Sequence, residues 1–463
     1  MVFSSIEFVV FFITVFIVYW LIPRENPLRL ILLLVASYIF YAWGNLFRAG
    51  LLFALSLIDF FACNTMLIKP TRKKLVFSLA IMFNFAVWIG FKYLSYFASF
   101  ISPELVARNS LSFFLFPVGL SFYALRKIAY LVEVYQGRLL HSVSFLNHGL
   151  YIAFFPQLLS GPIEAPGKLL SQFKKLPSFS WNLVNAAVPL LVMGLIKKII
   201  IADNLRIIVD RIFNLRQPAI VLFFVGAFGF AFHLYADFSS YTDLSRTFAL
   251  LLGFQTSENF NAPYLSISPT DFWNRWHITL SVWLRSYIFF PLRRWLLQQP
   301  GNHPWAADIL PPLITMLCSG FWHGTGWNYL AWGFYYGLLI IVYQKFKWAE
   351  SDISNHGLQR VAAVGLMFIL TVFGWSLFRA GSITWWWTTL TSGLWGLSGD
   401  HWIAAISSLT MILVFSSPLL LKHLISRLSR GRQRWELIYY AAMLVILLVF
   451  INSGMQEFIY FKF

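Results

Sequence analysis

Long apolar runs alternate with short polar breaks along almost the whole chain, and the runs set the elements it predicts. Stretches near the roughly 20 residues a helix needs to cross the hydrocarbon core of a bilayer lie at Ile6–Ile22, Leu28–Phe47, Leu51–Ile68 and Leu75–Tyr93. Others lie at Leu111–Tyr135, Leu183–Ile201, Ala219–Ala236, Trp327–Tyr343, Val361–Phe378, Ile403–Leu421 and Leu437–Ile451. Shorter stretches, broken by proline or glycine, lie at Phe145–Leu159, Leu244–Phe254 and Ile309–Phe321. An open sheet cannot satisfy its backbone in lipid, so the spans are helices. The expected fold is all-α: a polytopic membrane protein of roughly ten to twelve spanning helices plus re-entrant and interfacial helices. No repeat, low-complexity tract or long polar insert divides it, so residues 1–463 are expected to form a single domain.

Composition agrees. Of 463 residues, 59% are hydrophobic and only 11% charged, too few charges to cover a surface in water. The formal net charge of +17 would suggest nucleic acid on a soluble protein. Here the basic residues sit in short loops, Lys69, Arg72, Lys73 and Lys74 in one and Lys422, Arg427, Arg430, Arg432 and Arg434 in another. That is the cytoplasmic excess of the positive-inside rule, facing an anionic lipid surface; no nucleic-acid partner is expected. Each loop makes the segment before it run inward, which puts both termini outside. Ile6–Ile22 has no basic residue before it and no cleavage site after it, and reads as a retained span. Two cysteines inside apolar runs, Cys63 and Cys318, make neither a disulfide framework nor a metal site.

The chain from about Phe116 to Arg379 is richer in polar groups than either end. Ionisable side chains at membrane depth survive only inside protein or beside a cavity. Within it, Asn274, His277, Ser281 and Arg285 recur at steps of three and four across Thr270–Leu297, opposite Trp273, Trp276, Leu280, Trp283 and Tyr287. This is either an interfacial amphipathic helix with its polar stripe in water or a functional face. His323 follows Trp322 among Gly320, Gly324 and Gly326. Desolvation keeps such an imidazole neutral, fit to accept a proton, though it could equally pin a broken helix. His233, Asp237 and Tyr241 share a helical face, where Asp237 either clamps the fold or orients a histidine. Phe154–Pro166, with three prolines, cannot be a straight span; it reads as a re-entrant segment with Gln157 and Glu164 near its turn.

These motifs occur in an order that resembles the membrane-bound O-acyltransferase superfamily, and within it the bacterial alginate O-acetylase branch. The residues that carry it are Phe116–Tyr123 (FPVGLSFY), Phe155–Pro162 (FPQLLSGP), Asp237–Asp243 (DFSSYTD) and Glu258–Tyr264 (ENFNAPY). Phe272–Ser281 (FWNRWHITLS), Ser319–Gly324 (SGFWHG) and Phe458–Phe461 (FIYF) complete the series. The resemblance implies helices around a central funnel, with His323 catalytic and His277 the second family histidine. Asn274, Ser281, Arg285, Trp322, Asp237 and Gln157 are the candidates for binding or positioning substrate. It also implies an acetyl group taken from a cytoplasmic thioester, acetyl-CoA, with no permanently bound cofactor or metal. Exported acetyltransferases and polysaccharide-synthesis machinery in the cell inner membrane would be the partners. Arg285-Ser286-Tyr287 departs from the branch's Arg-Asp-Tyr, and Leu292–Leu296 (LRRWL) replaces its glycine-rich loop. The same polar middle also fits a transporter or flippase of a lipid-linked sugar. Cys318 lies five residues from His323, about 140° around a continuous helix, so an acetyl-cysteine route needs the helix to break between them.

Overall fold

The computed structural model describes residues 1–3, 5–101, 117–139, 144–299, 304–346, 357–392, 397–428, 431–450 and 458. Residues 111–116 of the run at Leu111–Tyr135, Ile451, and all of the closing motif but Phe458 lie outside them. The described residues are helical, without a strand; an isolated bridge pairs Phe260 with Trp276. Two compact units result, one of residues 1–191 and 242–257, the other of 192–241 and 258–463.

The first unit contains α1 (Ile6–Leu21), α2 (Leu28–Ala42), α3 (Leu46–Ile68), α4 (Lys73–Ile101), α5 (Leu120–Tyr135), α6 (Phe145–Ala153), α7 (Pro166–Lys174) and most of α8 (Trp181–Leu195). Its core is aromatic: Phe8 meets Phe248 at 4.7 Å and Phe11 meets Phe155 edge-on at 5.3 Å. Such pairs contribute about 0.5–1.5 kcal/mol beyond their buried area. Some of its buried charged groups are paired, which offsets the cost of their burial. Asp59 accepts from Asn84 Nδ2 at 2.9 Å and lies 3.4 Å from Lys127 Nζ. The expected irregular segment is present: α6 stops at Ala153, α7 starts at Pro166, and the intervening backbone is buried turns. The Arg126 guanidinium holds it, donating to the carbonyl of Gln157 at 2.9 Å, to Gln157 Oε1 at 3.2 Å and to the Pro162 carbonyl at 3.3 Å.

In the second unit a π-helical stretch, Ile196–Ala202, joins α8 to α9 (Asp203–Phe213). Then follow α10 (Ile220–Leu251, whose residues from 242 on belong to the first unit), α11 (Pro269–Arg275), α12 (Ile278–Leu284), π-helical Arg285–Phe289, α13 (Phe290–Gln298), α14 (Pro304–His323) and α15 (Trp327–Phe346). The chain ends with α16 (Gly357–Arg379), α17 (Ile383–Ser392), α18 (Gly399–Ser426) and α19 (Arg432–Phe450). α14 and α15 form a close hairpin because glycines lie at their contact. A Cβ on Gly320 would run into the Tyr329 carbonyl, and one on Gly333 into the Met316 carbonyl. The π-stretch packs its isoleucines on α18 and α19 around Ile412, Tyr439 and Met443.

Seven of the described helices are long and apolar enough to cross a membrane. The expectation of ten to twelve counted apolar runs. Two of those runs form helices of only 16 and 15 residues, α1 and α2. Proline interrupts α14 at 311 and 312, and α15 is rich in tyrosine and tryptophan, whose hydropathy is low.

Candidate active site

Thr270–Leu297 is not one amphipathic helix. Ser268 caps α11, accepting from the Asp271 amide at 3.1 Å, with Pro269 at the first helical position. The helix ends at Arg275, Trp276 turns extended, and His277 takes a left-handed backbone at φ 42. Few residues other than glycine adopt that conformation, and those that do cluster at functional sites. The break has an identifiable cause. The loop of the ENFNAPY motif runs beside it, with the Asn261 amide donating to the Arg275 carbonyl at 2.9 Å and the Ile278 amide to the Asn259 carbonyl at 3.0 Å. Asn259 Oδ1 also accepts from the Thr279 amide at 3.1 Å and its hydroxyl at 2.7 Å, so a residue nearly twenty positions upstream caps α12.

The break takes His277 out of any solvent-facing stripe. It is 1% exposed, edge-on to Phe238 at 4.7 Å and 6.3 Å from the Trp322 ring. Burial pushes its imidazole down to about 3, so it is neutral at physiological pH. Trp322 lies between the two histidines: its ring is 4.8 Å from that of His323. His323 ends α14, 5% exposed, and the rings of Phe378 and Trp332 close around it at 5.2 and 5.3 Å. Because α14 is continuous through His323, Cys318 stays on a different side of the helix, and the break an acetyl-cysteine route required is not formed.

Two cavities lie along the hairpin that carries this histidine, and His323 is a wall of neither. One, about 220 Å³, has almost wholly apolar walls that include Trp273, Leu280, Ser281, Arg285, Thr315 and Ser319. Thr315, Ser319 and His323 follow one another at steps of four on α14 and so share a face. Ser319 thus leads from this cavity to His323, one turn on. Asn274 Oδ1 accepts from Nη1 of Arg285, one of the cavity's walls, at 2.5 Å, where the π-turn replaces regular helix. That turn coincides with the departure at Arg285-Ser286-Tyr287. The other cavity, about 510 Å³, is polar and lined by Arg206, Asp210, His233, Tyr329, Phe378 and Arg379, among others. Phe378 is a wall of both this cavity and the His323 cage. Tyr329 and Gln344, one in each cavity, are fifteen residues apart on α15, about 22 Å along the helix. The cavities therefore open toward opposite ends of the α14–α15 hairpin.

Of the sequence candidates, the structure gathers His277, Trp322 and His323, and separately Ser281, Arg285 and Asn274 at the apolar cavity. Asp237 is elsewhere in the second unit, where Lys198 Nζ donates to it at 2.8 Å and lies 3.0 Å from Asp203, under the Phe458 ring at 4.1 Å. Gln157 belongs to the first unit and its Arg126 clamp. Sequence reasoning missed Thr315 and Ser319, although counting back by fours from His323 finds them. It also missed Arg206, Asp210 and Arg379, and it placed Asn259 in the ENFNAPY motif without assigning it a role.

A buried histidine near the turn of a helical hairpin, with one cavity toward each end of that hairpin, is compatible with an integral-membrane acyl-transfer enzyme. The chain belongs to the membrane-bound O-acyltransferase family, which its residues 55–384 match. It is an acyltransferase, and the transporter alternative gives way to that class. It is 32% identical to a probable alginate O-acetylase of Azotobacter vinelandii, over 83% of this chain and 76% of that one. A peptidoglycan O-acetyltransferase of Helicobacter pylori is 30% identical over 78% of this chain and 72% of its own. A teichoic acid D-alanyltransferase of Bacillus subtilis is 25% identical, over 61% and 72%.

Proposed function

We propose that this enzyme takes an acetyl group from acetyl-CoA in the cytoplasm and passes it across the inner membrane for O-acetylation of an extracytoplasmic polysaccharide. The observation that carries this reading is that His323 lies one helical turn from Ser319, a wall of the apolar cavity, and 5.2 Å from Phe378, a wall of the polar one. The names of the relatives support the acetyl group and the polysaccharide. Charge supports the direction. The basic stretch at the junction of α18 and α19, from Lys422 to Arg434, belongs on the cytoplasmic side. The far end of α18 packs Ala405 against Ile212, next to the polar cavity, so that cavity faces away from the cytoplasm.

In this mechanism the thioester enters through the apolar cavity, past Ser281, Thr315 and Ser319. An acceptor hydroxyl enters through the polar one. Neutral His323 takes the hydroxyl proton as its oxygen attacks the acetyl carbonyl. The new C–O bond forms, the C–S bond breaks, and the imidazolium returns the proton to the departing thiolate. His277 and Trp322 hold the ring and the donor in place. Exported acetyltransferases and the polysaccharide-synthesis machinery are the proposed partners on the extracytoplasmic side.

His323→Ala protein, assayed in membrane vesicles with radiolabelled acetyl-CoA, is expected to lose roughly a hundred- to ten-thousand-fold in transfer while inserting normally. Near-native turnover removes His323 from the mechanism.

A further inference from the structure

Among its described walls the apolar cavity has a single charged residue, Arg285, and that charge lacks a counter-ion. Arg285 is half-buried; among the described residues its guanidinium meets the neutral Asn274 Oδ1 at 2.5 Å and no carboxylate. Neighbouring arginines differ: Arg275 lies 2.7 Å from Asp271 and Arg293 3.4 Å from Asp308. Ser286, exposed, stands where an aspartate would follow Arg285 in the branch this chain resembles. A guanidinium drawn half out of water beside apolar walls costs free energy unless an anion meets it. The positive-inside rule accounts for Arg293 and Arg294, exposed on α13, but gives no reason for a cation in a cavity wall. Other polar atoms of the same walls are unsatisfied too. Thr315, 6% exposed, has no hydrogen-bond partner for its hydroxyl among the described residues, nor has Trp273 for its Nε1. By contrast Thr371 and Ser37 each donate to the carbonyl one turn back at 2.7 Å. Thr315 is two turns from His323, about 12 Å along α14. Arg285 is eight residues past His277, again about 12 Å of helical rise, and adds the reach of its side chain.

We propose that Arg285 binds a phosphate on the acyl donor, the one that ends a phosphopantetheine arm, and that Thr315 meets an amide of that arm. Extended, such an arm spans roughly 17 Å from phosphate to thioester carbon. That is close to the helical rise from His277 to Arg285 plus a side chain's length. Its amides break an otherwise apolar chain, which suits apolar walls that hold a few unsatisfied polar atoms. Guanidinium and phosphate form a charge-assisted, bidentate pair, the strongest contact this cavity can offer. Arg285 is thus a positioning residue: it grips the donor's far end and sets how deep the thioester reaches. Coenzyme A carries this arm, and so does an acyl carrier protein. This rests on the apolar cavity being the donor's side of the acyltransferase.

The test is equilibrium binding by calorimetry to the full chain purified in detergent, with pantetheine, 4′-phosphopantetheine and coenzyme A as probes, each kept reduced. Phosphopantetheine is expected to bind roughly tenfold more tightly than pantetheine. Arg285→Gln is expected to remove that difference. Ser286→Asp, which sets a carboxylate beside the guanidinium, is expected to shrink it. Thr315→Val is expected to weaken both probes alike and leave their ratio unchanged. A guanidinium that serves only the fold, or only lipid headgroups, would let the two probes bind equally to the unaltered protein, and that result overturns the proposal. So does an Arg285→Gln protein that keeps the full preference. Should Arg285→Gln not fold, Ser286→Asp, at an exposed position, decides in the same way. Coenzyme A binding more tightly than phosphopantetheine supports the site with the nucleotide-bearing donor as its source. A holo carrier protein that does so, while its apo form does not bind, supports it with the carrier as source. His323→Ala protein is expected to keep the preference and lose transfer. In the unaltered protein, transfer without preference sinks this inference alone, and preference without transfer sinks the acyl-transfer reading.

Discussion

At the scale of a residue, His277 is more informative than its place in a motif suggests. Its ring is enclosed by Phe238 and Trp322, and its backbone is held left-handed by hydrogen bonds from a distant loop. An unfolded histidine titrates near 6.5, whereas burial drives this one down to about 3. Below pH 6.5 the unfolded state therefore binds the proton and the folded state does not. His277 thus subtracts stability progressively as pH falls from about 6.5 toward 3, and subtracts none above that window. His277→Asn protein, whose side chain tolerates the left-handed backbone, is expected to show a shallower fall in thermal unfolding midpoint between pH 7.5 and 5. An identical slope would mean that the ring is protonated in the folded enzyme. Nothing local in the sequence discloses this environment. The spacing of Asn274, His277, Ser281 and Arg285 is helical, and it fits an outward stripe and a functional face alike.

At the scale of an element, that same stretch shows where legibility stops. Apolar runs place most helices within a few residues because each run must bury or span as a unit. α11 and α12 satisfy a single helical period across their junction, yet the chain breaks there because Asn259 supplies α12 with a cap from another loop. A cap remote in sequence leaves no pattern at the helix it serves. Asn259→Ala is therefore expected to cost about 1 kcal/mol of stability. It should reduce acyl transfer more than that loss explains, since the break that fixes His277 loses its support. Activity measured at a temperature where the variant stays folded checks this. Unchanged turnover would show that the break holds without its cap. The π-turns at Lys198 and Arg285 were illegible for a related reason: one extra residue in a turn leaves the apolar period almost intact. The polar cavity was half legible. Arg206 and Asp210 stand one turn apart beside an apolar run, but nothing local says that Arg379 reaches them.

At the scale of the whole molecule, the open question is which side each surface faces, and parity of crossings gives an expectation. The first basic loop follows α3. α1 and α2 are short, but whether each spans fully or both dip in together as a pair, they return the chain to the side on which it began. α3 is then expected to carry it inward to Lys69–Lys74, which would put the N-terminus outside. By the same reasoning α18 is expected to run inward, the second basic loop to be cytoplasmic, and α19 to return outward. Leu397, exposed just ahead of α18, should therefore be extracytoplasmic, while Thr71 and Gly431, exposed in the basic loops, should be cytoplasmic. In protein lacking Cys63 and Cys318, cysteine at 397 is expected to react with a membrane-impermeant maleimide in intact cells. Cysteine at 71 or 431 should react only after permeabilisation. The reverse pattern would place the polar cavity in the cytoplasm, where an acceptor on an exported polysaccharide could not reach it. It would leave His323 as an acyl-transfer base but turn the proposed path of the acetyl group around. Labelling at 71 and 397 from the same side would instead mean that one of the intervening helices does not cross, and would redraw the topology before any mechanism is argued.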